Sequence, residues 1–143
     1  LFDTWGGVLA RPHYEAFALP YAKRLLAAVG AAGVPAIYFV LDGAHLLDLA
    51  AGAGAPALGV DWRTPLARVR EHVGPDLVLQ GNLDPAALYG TPAALRRETA
   101  AVIAGAGERH VFNLGHGVWP DAPVDAVARL VDLVHELGRR GER

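Results

Sequence analysis

The feature that most constrains the fold of this chain is a regular alternation between short apolar segments and longer segments with helical periodicity. The short segments read LFDTW, AIYFVLD, ALGVDW, LVLQGNL and HVFNLG, at residues 1–5, 36–42, 57–62, 77–83 and 110–115. Their apolar, β-branched and aromatic residues predict buried strands. Successive segments begin roughly 20 to 35 residues apart, which is typical of βαβ units, so the sequence predicts five parallel strands joined by helices.

The segments between these strands carry start and stop signals for helices. A threonine before a proline offers a capping hydroxyl, followed by a residue whose missing N–H costs nothing in the first turn. A glycine favours the end of a helix. The starts are Thr64-Pro65 and Thr91-Pro92, and the stops are Gly74 and Gly105. The first helix is predicted over residues 12–29, interrupted near Pro20, and the last over residues 123–140.

Two α/β architectures contain such strands. A doubly wound dinucleotide-binding sheet has a G-x-G-x-x-G turn after its first strand, whereas this chain reads TWGGVLARP there. In a β/α barrel, polar residues at the carboxyl ends of the strands meet at one mouth. Every predicted strand ends in such residues: Asp3-Thr4, Asp42-Gly43, Asp61-Trp62-Arg63, Gln80-Gly81-Asn82 and Asn113 to His116. These strand ends favour the barrel.

The length of the chain indicates how much of a barrel it contains. A complete (β/α)8 or TIM barrel needs about 200 residues or more, and this chain has 143 residues and opens without methionine. We therefore predict an α/β fold that is the C-terminal part of a (β/α)8 barrel, with about five strands and their helices. Residues 1–143 are expected to belong to one barrel domain whose N-terminal part is missing.

Composition narrows the classes of partner. The chain is 52% hydrophobic and 20% charged, with a net charge of -2 and no basic stripe, which argues against nucleic acid as a partner. No apolar stretch reaches the roughly 18 residues of a membrane span. The absence of cysteine excludes disulfides, thiolate zinc sites and a cysteine nucleophile from these residues. No secretion signal is present, so we expect a cytoplasmic protein that does not bind a membrane.

Several motifs resemble, in order and spacing, the C-terminal portion of the uroporphyrinogen decarboxylase family. The combination of QGNLDP with NLGHG about 30 residues later is specific, although either motif alone would be weak. The resemblance covers essentially the whole chain. The segments that carry it are LFDTWGG, FALPYAKRLL, GVDWRTPL, LQGNLDPAALY and FNLGHGVWPDAPVDAVARLVDLVHE.

The resemblance implies a fold and an activity. Family members are single-domain β/α barrels, usually homodimers, that act without a cofactor. They are lyases that remove CO2 from the four acetate side chains of uroporphyrinogen, giving coproporphyrinogen in heme and porphyrin biosynthesis. The family's Arg-rich segment, its pyrrole-contacting aspartate and a substrate-binding tyrosine do not fall on these residues. We therefore assign no catalytic residue and no metal ligand here, and we expect residues 1–143 alone to be inactive.

The same resemblance places two substrate-binding residues in this chain. The hydroxyl residue of the family's LF-x-[ST] motif falls on Thr4, and the histidine of NLGHG falls on His116. Because the substrate carries eight carboxylates, hydroxyl and imidazolium donors suit it. The alternative interpretations are a strand threonine bonded to local backbone and an exposed turn histidine. Gly115 and Gly117 are expected to make room beside His116 for a bulky macrocycle.

The remaining polar residues receive weaker or structural assignments. Arg63 follows a strand, where it could meet a substrate carboxylate, and His45 is a candidate at the rim. Asn82 and Asp84 are predicted to be scaffold, because GNLDP is typical of a strand end followed by an Asp cap. The other histidines are expected on helices or helix ends, as surface or packing residues: His13, His72, His110 and His135.

Two alternative functions remain open at this point. One is a methyltransferase of the same barrel superfamily, whose zinc relatives activate a thiol through His and Cys ligands. The lack of cysteine in these residues argues against it. The other is a catalytically degenerate barrel that only binds a tetrapyrrole. The Arg-rich segment and the pyrrole-facing aspartate would discriminate among the three.

Overall fold

The five predicted strands are present and form one parallel sheet. A computed structural model describes residues 1–139. Each strand is shorter than the apolar segment that contains it, because the segment ends turn into the connecting loops. The strands are β1 (Phe2–Asp3), β2 (Ile37–Val40), β3 (Ala57–Gly59), β4 (Val78–Leu83) and β5 (His110–Leu114).

Six α-helices and three short 3-10 helices connect these strands within the described residues. The α-helices are α1 (Arg11–Phe17), α2 (Leu19–Ala31), α3 (Leu47–Ala51), α4 (Leu66–Val73), α5 (Pro92–Ala106) and α6 (Val124–Gly138). The 3-10 helices are Gly6–Val8, Ala44–Leu46 and Pro85–Tyr89. None of the helices in this part of the chain is long and apolar enough to cross a membrane.

The helix boundaries differ from the sequence prediction in four places. The predicted helix over residues 12–29 is two helices that separate at Ala18, and Pro20 lies in the first turn of α2, where its missing N–H is harmless. The Thr64 side chain does not cap α4, which begins after Pro65. The predicted end of the last helix, Arg140, lies outside the described residues, and α6 ends at Gly138.

The fourth difference concerns the end of α5. The helix continues through Gly105 to Ala106 and stops at Gly107, which has a φ of 80°. Glycine tolerates this left-handed conformation, so Gly107 rather than Gly105 ends the helix. A Cβ at Gly105 would lie 3.3 Å from the backbone nitrogen of Ala67. Gly105 therefore permits close packing of α5 against the start of α4.

The strand order decides between the two architectures. Neighbours in the sheet are also neighbours in the chain, in the order β1-β2-β3-β4-β5, and every pair is parallel. A doubly wound sheet reverses direction at a switch point, whereas a barrel wall is built from sequential strands. The predicted partial barrel is thus confirmed, and the dinucleotide-binding alternative is excluded by the topology.

The two faces of the sheet have different surroundings. Tyr38, Leu58 and Leu79 are paired across β2, β3 and β4 and are buried in a core shared with the helices. The opposite face, which we call the open face, carries the alternate side chains of the strands. On it, the side chain of Phe2 is 80% exposed and that of Val111 is 46% exposed. The open face corresponds to the interior of a barrel.

Arg70 joins two loops at the amino end of the sheet. Its guanidinium donates to the carbonyl oxygens of Gly74 at 2.8 Å and Leu77 at 2.7 Å, in the loop before β4. It also donates to those of Ala106, the last residue of α5, at 2.8 Å and Arg109, directly before β5, at 3.1 Å. Removing the donor would leave several carbonyl groups without partners.

We expect Arg70→Met in the full-length protein to lower the free energy of unfolding by about 2 kcal/mol, because the carbonyl groups lose their donor. Urea denaturation followed by circular dichroism measures this change. Arg68→Met on the same helix is the control: Arg68 makes an exposed ion pair with Glu71 at 3.1 Å, and such pairs contribute little. Equal midpoints for the two variants would contradict the prediction.

Candidate functional site

A cavity of about 390 Å³ lies on the open face, toward the carboxyl ends of the strands. All five strands contribute to it directly or through the residues that follow them. Its walls combine apolar side chains with a few polar ones, which is the usual composition of a small-molecule site. The lining residues are Phe2, Thr4, Phe39, Leu41, Val60, Gln80 and the segment 113–118.

The cavity brings together the two residues predicted from the resemblance. Thr4 follows β1 and His116 follows β5, so they come from the two edge strands of the sheet. Both side chains are exposed to solvent in the cavity. Within residues 1–139, neither side chain makes a hydrogen bond or an ion pair. The Thr4 hydroxyl is therefore not bonded to local backbone, and both groups are available to a ligand.

The His116 ring lies against Trp62, which follows β3. The two ring centroids are 5.7 Å apart and the ring planes are nearly perpendicular, at 82°. The guanidinium carbon of Arg63 lies 4.0 Å from the centroid of the same indole. Trp62 thus orients the imidazole toward the cavity through packing rather than through a hydrogen bond.

Gly115 has a different role from the predicted one. Its N–H donates to the carbonyl oxygen of Leu83 at 2.8 Å. A Cβ at this position would lie 2.3 Å from the backbone nitrogen of Trp62 and 2.8 Å from its Cα. Close contact between the ends of β3 and β5 therefore requires glycine here. At Gly117 a Cβ would meet open space, so the expectation of clearance beside His116 applies to Gly117 alone.

The segment after His116 is attached to the 3-10 helix Pro85–Tyr89. The Tyr89 hydroxyl donates to Asp121 Oδ1 at 2.6 Å, and its ring centroid lies 5.6 Å from that of Trp119. The hydrogen bond to the carboxylate raises the pKa of Tyr89 to about 12. The tyrosine therefore stays protonated and keeps this contact throughout the neutral pH range.

Arg63 does not line the cavity. Its Nε lies 3.1 Å from Asp42 Oδ1, and its Nη1 lies 3.6 Å from Asp61 Oδ2. The Asp61 carboxylate is buried and also accepts from the backbone N–H groups of Asp42, at 2.7 Å, and Arg63, at 2.9 Å. These contacts join the ends of β2 and β3 and supply Arg63 with carboxylate partners inside the protein.

His45 is also separate from the cavity. It lies in the 3-10 helix Ala44–Leu46, and its Nε2 is 2.9 Å from the carbonyl oxygen of Leu9. This hydrogen bond links the segment after β2 to the segment after β1. The structure therefore places Thr4 and His116 together and places the two weaker candidates, Arg63 and His45, elsewhere at the carboxyl end of the sheet.

Asn82 and Asp84 make the contacts expected of scaffold residues. The Asn82 amide donates to the carbonyl oxygens of Asp61 at 2.7 Å and Thr64 at 2.6 Å, and Asp84 Oδ1 accepts from the N–H of Ala86 at 2.8 Å.

The predicted location of His110, on a helix or a helix end, is wrong. It lies in β5, because the apolar segment HVFNLG begins with this residue. Its Nε2 lies 2.6 Å from the carbonyl oxygen of Gly81.

A buried pair of tyrosines lies behind β1. The hydroxyl oxygens of Tyr14 and Tyr38 are 2.6 Å apart, and Tyr38 donates to Asp3 Oδ2 at 3.3 Å. Burial raises the pKa of both tyrosines, so both remain protonated donors. This chain of hydrogen bonds holds Asp3 and thereby the strand end that presents Thr4.

Gln80 and Asn113 also line the cavity, and sequence reasoning did not select them as candidate site residues. The two-residue period of a strand groups each of them with the residues of one face, but it does not say which face lines a cavity. Val78 and Gln80 alternate with the buried Leu79 and Gly81 of β4, while the exposed Val111 and Asn113 alternate with half-buried residues of β5. Among residues 1–139 no group of three or more His, Cys, Asp or Glu side chains could hold a metal ion.

Comparison with known proteins gives consistent matches along the chain. The family model described as uroporphyrinogen decarboxylase (URO-D) matches residues 1–137. The uroporphyrinogen decarboxylase of Syntrophotalea carbinolica is 44% identical over 139 residues, covering 96% of this chain and 40% of that protein. The enzyme of the same name from Rhodococcus jostii is 47% identical over 144 residues, with shares of 96% and 41%.

A solved structure shares the fold. It is described as a methyltransferase from Methanosarcina mazei, with a TM-score of 0.83, 19% sequence identity and coverage of 96% of this chain and 41% of that chain. At this identity the likeness concerns the fold alone. The chain spans about two fifths of the length of each of these three proteins.

Proposed function

Because this chain belongs to the uroporphyrinogen decarboxylase family, we propose that its protein is a carboxy-lyase acting on uroporphyrinogen. The reaction removes CO2 from the four acetate side chains and yields coproporphyrinogen in porphyrin and heme biosynthesis. The observation that carries the proposal is the presence of Thr4 and His116 in one cavity, with no protein partner for either polar group among residues 1–139.

The chemistry indicates what this part of the site contributes. A pyrrole carbon first accepts a proton, which makes the ring an electron sink. The bond between the acetate methylene and its carboxylate then breaks, and CO2 leaves. The methylene is protonated to methyl, and the pyrrole carbon gives back the proton it had accepted, which restores the aromatic ring. Thr4 and His116 are suited to hold substrate carboxylates during these steps. We assign the proton transfers to groups outside residues 1–143.

The purified full-length protein and anaerobically prepared uroporphyrinogen test the proposal. We expect four equivalents of CO2 for each macrocycle and coproporphyrin after oxidation, separated by chromatography. A methyltransferase would instead transfer a methyl group to a thiol without releasing CO2. A degenerate module would bind the macrocycle and leave it unchanged. Either of these results would contradict the decarboxylase assignment.

We further propose that residues 1–143 are the C-terminal part of one barrel domain. The exposed Phe2 and Val111 on the open face support this, because a closed barrel would cover them. A single domain predicts one cooperative transition when the full-length protein is heated in a calorimeter. Two resolved transitions would contradict it.

The cytoplasmic location and the homodimer implied by the resemblance are part of the same proposal. Sedimentation equilibrium of the purified full-length protein should give twice the mass of its chain, and cell fractionation should recover the activity in the cytoplasmic fraction. A monomer mass, or activity in another fraction, would contradict the corresponding part.

Thr4→Val in the full-length protein should raise KM for uroporphyrinogen with little change in kcat. Valine preserves the branched shape but removes the hydroxyl, and the lost hydrogen bond to a carboxylate is worth about 0.5 to 3 kcal/mol. Thr4→Ser keeps the hydroxyl and should be nearly neutral. Steady-state kinetics of the two variants provide the measurement. Equal KM and kcat for Thr4→Val and wild type would show that Thr4 has only a structural role.

A further inference from the structure

Gln80 is the only glutamine of the chain, and it lies deeper in the cavity than Thr4 and His116. The strand register pairs Gln80 with Gly59 on one side and Val111 on the other, in the same row as Phe2 and Phe39. Thr4 and Asn113 follow members of this row by two residues. Because a strand rises about 3.3 Å per residue, Gln80 lies about 7 Å farther from the mouth.

The Gln80 side chain has space and no partner. A Cβ at Gly59 would lie 3.2 Å from Gln80 Oε1, so the glycine on the neighbouring strand makes room for the carboxamide. Within the described residues, 1–139, no group hydrogen-bonds to this carboxamide. The side chain is half-buried and reaches the cavity between the apolar side chains of Phe39 and Val60. The carboxamide is therefore available to pair with a ligand that enters the cavity.

The lining of the cavity limits what this group can bind. His116 is its one ionisable side chain among the described lining residues, and it lies at the mouth. Asn113, also near the mouth, uses its Oδ1 to accept from the N–H of Leu114 at 2.9 Å. For a carboxylate that enters the cavity past Thr4, the Gln80 amide is therefore the hydrogen-bond donor that this wall offers at that depth.

On the basis of the proposed function, we propose that Gln80 is a specificity-determining residue that donates its Nε2–H to a carboxylate of the macrocyclic substrate. The donor is neutral, so it holds an anion without adding a cation to the apolar wall. The carboxylate belongs either to an acetate arm or to a propionate arm, which share the same chemistry. An acetate partner would let Gln80 distinguish unreacted arms from the methyl groups of the product.

Binding of stable oxidised macrocycles to the full-length protein tests this assignment. Gln80→Met removes the donor at nearly the same size, and Gln80→Glu replaces the amide with an anion. We expect the Kd for uroporphyrin, measured by quenching of tryptophan fluorescence, to rise about 10-fold in Gln80→Met and about 100-fold in Gln80→Glu. KM for uroporphyrinogen should rise in parallel, with a smaller change in kcat.

Val78→Thr is the matched control, because Val78 lies on the same strand and face as Gln80 but outside the cavity. Its Kd and KM should stay within about 2-fold of wild type, since it makes no contact with the macrocycle. Circular dichroism monitors folding, and Gln80→Met decides the test if the charged variant does not fold. Unchanged Kd and KM in a folded Gln80→Met would overturn the assignment.

Coproporphyrin, which lacks the acetate arms, distinguishes the two sources of the carboxylate. Weakened binding of uroporphyrin alone supports an acetate partner, and weakened binding of both macrocycles supports a propionate partner. The outcome also separates this assignment from the proposed function. Wild-type protein that binds uroporphyrin through Gln80 without releasing CO2 would overturn the decarboxylase activity and leave the carboxylate contact supported.

Discussion

Replacing His116 with asparagine in the full-length protein should lower kcat/KM for uroporphyrinogen by about 10- to 100-fold. A charge-assisted hydrogen bond between imidazolium and carboxylate is worth about 1.5 to 3 kcal/mol, and asparagine retains only a neutral donor. Because His116 is exposed at the mouth and held by Trp62, we expect a role in binding and orientation. Turnover at saturating substrate should therefore persist in part.

The size of the change in kcat distinguishes orientation from proton donation. A raised KM with only a partial loss of kcat supports a role in binding and orientation. A loss of kcat of about 100-fold or more would instead identify His116 as an essential proton donor. His72→Asn, on the exposed surface of α4, is the control and should behave as wild type. Wild-type kinetics for His116→Asn would make His116 an ordinary turn residue.

Gly115→Ala should lower the free energy of unfolding of the full-length protein by about 3 kcal/mol, through overpacking against rigid backbone. The added Cβ would lie 2.3 Å from the Trp62 nitrogen, so the ends of β3 and β5 must separate. That separation moves Trp62 away from His116, and uroporphyrin binding should weaken together with stability. Denaturant unfolding and fluorescence quenching measure the two effects.

Gly117→Ala is the matched control for this prediction. The same methyl group is added two residues later in the same segment, where a Cβ meets open space. Its stability should change by no more than about 0.5 kcal/mol. If the two alanine variants have the same midpoint of unfolding, the close contact between Gly115 and Trp62 does not constrain the fold.

The sequence predicted part of the arrangement of polar residues at the strand ends. Polar residues were predicted at the end of every strand, and they are there. They form two groups rather than one: Thr4, Gln80, Asn113 and His116 line the cavity, whereas Asp42, Asp61 and Arg63 pair with one another. The division depends on the face and the height of each residue in the sheet, which are set by pairing between strands.

The sequence by itself determined the elements and their type, because apolar segments and local signals such as the Thr91 cap and the Gly74 stop act within a few residues of one another. It also predicted that Thr4 and His116 belong to one site, through motifs that lie far apart in the chain. Tertiary packing alone decided the rest. A period of two does not say which face of a strand meets the helices, so it could not assign Gln80 to the cavity. Nor could local conformation distinguish a glycine that contacts Trp62 from one in open space, because that contact joins residues more than fifty positions apart in the sequence.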